Sequence, residues 1–70
     1  MKNIMLEVKT KVRGTITGAI GELIDIEVGT NGRRYGIIKW QHGDKELKTT
    51  QELMTHLDFL VRKGALEVVR

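Results

Sequence analysis

The sequence predicts a small β-rich α+β domain: an antiparallel β-barrel or strongly bent sheet, with one helix over residues 50–63 and a short closing strand; the alternative is an open α+β sandwich of the same elements. Three observations predict it. Apolar and polar residues alternate with period two through most of residues 4–40. Glycine clusters and an Asn-Gly pair punctuate those runs where a chain must turn. One later stretch, with Leu53, Leu57, Leu60 and Val61, switches to helical spacing.

The first extended segment places Ile4, Leu6, Val8, Val12 and Ile16 on even positions and Glu7, Lys9, Lys11, Arg13 and Thr15 on odd ones. Such a run is too long for one flat strand, so a bend, or two strands meeting near Gly14, is expected. Gly18-Ala19-Ile20-Gly21 reads as a turn. A second strand follows from Glu22 to Val28, with Ile24, Ile26 and Val28 on one face. Gly29-Thr30-Asn31-Gly32 then signals a hairpin, because Asn and Gly tolerate positive φ. The third strand is Arg33 to Trp40. A four-residue loop sets Glu27 opposite Arg34; a two-residue turn sets Val28 opposite Tyr35. Both registers put Tyr35 and Ile37 on the face of Ile24, Ile26 and Val28, with Ile38 and Trp40 on the other.

Gln41-His42-Gly43-Asp44 forms a second turn, and Lys45 to Lys48 a short fourth strand. Thr49-x-x-Glu52 fits a capping box, in which two side chains satisfy free backbone N–H groups at a helix start. Lys63 in the last turn and Gly64 beyond it mark the helix end. Ala65 to Val69 is the closing strand.

With 70 residues, the chain is read as one domain, residues 1–70. A domain this short has a small core, and many of its size add a staple. Cysteine is absent, so disulfides and thiolate metal sites are excluded, and the two histidines make a structural zinc site a poor expectation. Self-association into a homodimer is another source of stability. The absence of cysteine fits a reducing compartment. The apolar run at Ile4–Leu6 is broken by Glu7, unlike a signal peptide, and no apolar stretch approaches the length of a membrane helix. A cytoplasmic location without membrane contact is therefore expected. Net charge is +3. Residues 1–40 carry seven Lys/Arg against four Asp/Glu, whereas residues 41–70 carry five of each. The cationic excess lies in the β-rich part.

Gly14-x-Ile16, Ile24-x-Ile26-x-Val28 and Tyr35-x-Ile37-x-x-Trp40-x-x-Gly43 together resemble the SH3-like small β-barrels of the Tudor and KOW type. The likeness covers roughly residues 6–47, and no specific family is identified. It implies a binding surface. A methyl-lysine cage needs several aromatics, and this chain has only Tyr35, Trp40 and Phe59. The predicted helix is also longer than the single turn usual before the last strand of such barrels.

Two candidate surfaces emerge. Lys9, Lys11 and Arg13 project from one strand face about 6.5–7 Å apart, near the phosphate repeat of a stretched nucleic acid. The same pattern also serves as a solvated face that discourages edge aggregation. Arg33, Arg34, Tyr35, Lys39 and Trp40 mix cations with rings, as single-strand binders do. The competing reading makes Trp40 part of the core and pairs Arg34 with Glu27. The second surface is on the helix. Phe59 lies roughly 120° from the centre of the Leu53/Leu57/Leu60 stripe. Either it folds over the barrel rim, or it stands exposed beside Arg62 and Lys63 as a protein contact.

Catalysis finds little support in the inventory. Serine and cysteine are both absent, and neither GxGxxG nor GxxxxGK[ST] occurs. His42 and Asp44 share a turn without a third ligand at suitable spacing, and His56 with Glu52 reads as an i,i+4 helical contact. No cofactor, metal or enzymatic activity is expected. The expectation is a non-catalytic binding module, nucleic-acid-associated and accessory or regulatory. Its alternative is a protein-binding adaptor or inhibitor, of the compact kind found among phage and prophage accessory genes, acting through the helix face or a strand edge.

Overall fold

A computed structural model of the chain describes residues 6–69. The elements run β1 (Lys11–Gly14), β2 (Ile20–Val28), β3 (Arg34–His42), β4 (Lys45–Leu53), α1 (Met54–Lys63) and β5 (Leu66–Val69). They build one antiparallel five-stranded sheet, ordered β4-β3-β2-β1-β5, with α1 on one face. Successive strands pair as neighbours until α1, which carries the chain from β4 at one edge to β5 at the other. The sheet stays open, so of the barrel and the bent or open sheet that the sequence allows, the closed barrel is not formed: β4 and β5 are separate edges. This is an α+β arrangement in which, among the described residues, the second side of the sheet is uncovered.

The first strand is shorter than its alternation predicts. Among the described residues of that series only Val12 is buried, and Ile16 is 93% exposed in the turn after β1. Lys9 adopts φ 79°, which reverses the chain before β1, so Leu6 and Val12 do not share one straight strand. Ile4, assigned to the same strand, lies outside the described residues.

The register of the β2–β3 hairpin corrects the sequence reading. Val28 pairs with Arg34 and Glu27 with Tyr35, leaving five residues, Gly29–Arg33, in the loop. Asn31 explains the odd length. Its Oδ1 accepts from the Arg33 N–H at 2.9 Å, while the Gly29 N–H donates to the Arg33 carbonyl at 2.8 Å. One residue of slip exchanges the faces of a strand. Tyr35 and Ile37 therefore face away from α1, opposite to Ile26. A bulge after Leu23 then shifts the register again, so Leu23 pairs with Ile38 and Gly21 with Trp40. Leu23, Ile38 and Trp40 line the helix-side face, whereas Val28 is 69% exposed.

The core comprises Val12, Leu23, Ile38, Leu57 and Leu66, flanked by Leu6, Ile26, Trp40, Met54, Leu60, Val61 and Val68. Gly36 and Gly21 allow this packing. A Cβ on Gly36 would sit 2.7 Å from Leu23 Cδ1 and 3.2 Å from Leu57 Cδ1, so its bare backbone is what lets α1 lie close to the sheet.

The helix start is a second correction. Residues 49–53 continue β4, with Thr49 opposite Lys39 and Leu53 opposite Tyr35. The capping box Thr49–Glu52 does not form, and the N-cap is Leu53, without a side-chain cap. Pairing along β3 outweighs a local signal worth about 1 kcal/mol. Thr50 is further fixed by accepting a 2.7 Å hydrogen bond from Trp40 Nε1. The helix end matches its prediction. Gly64 takes φ 89°, its N–H donates to the Val61 carbonyl and the Ala65 N–H to the Leu60 carbonyl, the paired bonds of a Schellman stop.

Candidate functional site

The sheet face away from α1 is uncovered among the described residues, and it gathers four of the eight residues proposed for nucleic acid. From the register and the alternation of strands, Lys11, Arg13, Tyr35 and Lys39 point to it. Glu22, Asp25, Glu27, Glu46 and Glu67 point there as well, giving five carboxylates against three cations. Glu22 stands between Lys11 and Lys39 in the sheet. Arg13 is bound by Glu67, with Nη2 to Oε1 at 2.9 Å, and Lys39 approaches Glu46 at 3.7 Å. The face is a mosaic of alternating charge rather than a basic track.

The other four lie elsewhere. Lys9 sits in the turn before β1, out of line with Lys11 and Arg13. Arg33 and Arg34 stand at the end of the β2–β3 hairpin, and Arg34 pairs with Val28 rather than Glu27. Trp40 is half-buried on the helix-side face, over Gly21, with its N–H already donated to Thr50. Tyr35 accepts from Asn31 Nδ2 at 3.1 Å and packs beside Gly29.

The helix presents a different surface. Buried Leu57, with Met54, Leu60 and Val61, faces the sheet. Phe59 lies on the opposite side, 55% exposed. Its ring stacks with His56 at 6.4 Å between centroids, and Lys63 Nζ lies 5.8 Å from its centre. Arg62 is occupied by Asp58 at 3.1 Å, one helical turn back. Glu52 belongs to β4, so the expected helical pair with His56 is not made. His42, at the end of β3, instead donates from Nε2 to the Thr17 carbonyl in the turn after β1, at 3.0 Å.

Beside the start of α1 is a groove of about 710 Å³, lined by Leu6, Arg33, Arg34, Leu53, Met54 and Asp58 among others. It was not foreseen from the sequence. It exists because the β2–β3 loop, the β4–α1 junction and the segment before β1 meet at one end of the sheet, and no local pattern encodes that meeting.

Among the described residues no group of three His, Asp or Glu side chains is arranged to hold a metal, and no helix is long and apolar enough to cross a membrane. No family model matches the chain, and neither the curated proteins nor the solved structures yield a match.

Proposed function

We propose that this chain is a non-catalytic binding module whose partner is a protein, engaged through the outer face of α1 around Phe59. The observation that carries this reading is the contrast between its two candidate surfaces. The open sheet face has more carboxylates than cations, which opposes a polyanion. Phe59, by contrast, is a large ring held clear of the core and flanked by His56 and Lys63. Rigid, exposed aromatics of this kind anchor protein contacts. Lys63 beside the ring favours a partner with an apolar pocket rimmed by carboxylates.

The absence of cysteine suits a reducing, cytoplasmic setting. We also read the strand order, with β5 returned to β1, as an opened variant of the SH3-like arrangement. On that view α1 occupies the place where such barrels close.

Two measurements test the function. Single- and double-stranded oligonucleotides titrated at low salt are expected to show no binding. A random peptide library panned against the intact chain is expected to enrich sequences that Phe59→Asp no longer captures. That variant keeps its fold, because the ring is more than half exposed. Oligonucleotide affinity that falls steeply with salt and vanishes on Lys11→Glu, with peptide capture indifferent to Phe59→Asp, returns the nucleic-acid reading to first place. Enrichment of this chain's own segments identifies a homodimer as the partner.

A further inference from the structure

We infer that the groove beside the start of α1 is a recognition site for an acidic, apolar peptide segment of the partner. This rests on the protein-binding reading and names the chemistry that the partner brings. The groove, about 710 Å³, is open to solvent, so a segment of a partner can reach it. Its apolar lining is Leu6, Leu53 and Met54, and its rim is Arg33 and Arg34.

The charges decide what fits. Asp58, the groove's carboxylate, is paired with Arg62 at 3.1 Å. Neither Arg33 nor Arg34 makes an ion pair with any described residue. Two exposed arginines without an ion pair among the described residues therefore border an apolar floor. Planar guanidiniums take carboxylates through paired N–H donors, and the floor takes branched aliphatic side chains. The nearby helix start, lacking a capping side chain and any acidic residue in its first turn, adds potential of the same sign. A peptide alternating Asp or Glu with Leu satisfies both demands.

The chain's own adjoining segment does not supply this charge. Residues 1–5, Met-Lys-Asn-Ile-Met, carry one lysine and no carboxylate. A basic partner is opposed by Arg33 and Arg34, and a wholly apolar one leaves both guanidiniums without a counter-charge. The groove adjoins the outer helix face through Thr55 and Asp58, so one partner can cover it and Phe59 together.

The test uses the full chain and a short synthetic peptide of Asp and Leu, with counterparts in which Lys or Ser replaces each Asp. Binding is followed by fluorescence anisotropy and by amide shifts in nitrogen-15 NMR spectra. The acidic peptide is expected to shift the signals of residues 32–34 and 53–58. The Lys and Ser counterparts are expected to bind at least about tenfold more weakly. Arg33→Gln with Arg34→Gln is expected to cost about tenfold in affinity, as two partly exposed charge pairs do. Lys45→Gln with Lys48→Gln, on the β4 edge, controls for general charge and is expected to change little. Equal binding of all three peptides, equal losses in the two double variants, or shifts confined to other elements would each overturn the site. If the site fails while library capture still depends on Phe59, only this inference falls. If both are lost, the protein-binding reading falls with it.

Discussion

Adding one methyl group at Gly21 or at Gly36 gives two different costs, and the order of those costs follows from what each methyl meets. At Gly21 a Cβ would lie 2.7 Å from Ile38 Cγ2 and 2.8 and 2.9 Å from two carbons of the Trp40 ring. Ile38 is 1% exposed and β-branched, so its side chain has little freedom to turn aside. The Trp40 ring is rigid and held at its far end by the 2.7 Å bond to Thr50. At Gly36 the neighbours are Leu23 Cδ1 at 2.7 Å, Met54 Sδ at 2.9 Å and Leu57 Cδ1 at 3.2 Å. Met54 is unbranched, half-buried and borders the groove, so it can move aside. Overpacking costs about 1–3 kcal/mol, and replacing glycine within a strand returns about 0.5–1 kcal/mol. Gly21→Ala is therefore expected to destabilise by about 2 kcal/mol and Gly36→Ala by about 1 kcal/mol or less. Urea titrations read the difference, using the fluorescence of the single tryptophan and far-ultraviolet circular dichroism together. In heat denaturation the gap corresponds to about 4–8 °C per kcal/mol for a domain of this size. A Gly36→Ala variant less stable than Gly21→Ala, or a neutral Gly21→Ala, would refute the packing argument.

Two further outcomes are expected. Lys9→Gly should stabilise by about 0.5–1 kcal/mol, seen as a rise in melting temperature, because Lys9 holds φ 79° and a side chain there is strained by about 1–2 kcal/mol before glycine's entropy is charged against the gain. Trp40→Phe and Thr50→Val, measured singly and together by urea unfolding, should show a coupling of about 1 kcal/mol for the Nε1–Oγ1 bond; additive losses would remove that bond from the reasoning.

Local chemistry was legible in the sequence. Asn31-Gly32 and Gly43 announced their turns, Gly64 its helix stop, and Leu57 and Leu60 the buried helical stripe. What escaped was parity and competition. Asn31 folds its own side chain into the β2–β3 loop, and that one extra residue exchanges Tyr35 with Trp40 between faces. Thr49 and Glu52 read as a helix start because nothing local reveals that β3 runs on beside them. The cations on β1 and β3 are visible in order, but the glutamates interleaved among them come from β2, β4 and β5. Only the register shows the mosaic. The groove needed three distant segments brought to one end of the sheet, so no window of sequence could contain it.

The pairing of β1 with β5 sets the timing of assembly. β2, β3 and β4 join through short turns and their contacts are local, but Lys11 meets Val69 only after α1 has spanned the sheet. Until Leu66–Val69 arrive, one side of β1 is without its neighbour and Leu57 has no Leu66 to pack against. Those four residues act as the latch. A protease cut between Lys63 and Leu66 would therefore undo more than its position on the surface implies, freeing both the far edge of the sheet and the end of the helix that anchors it.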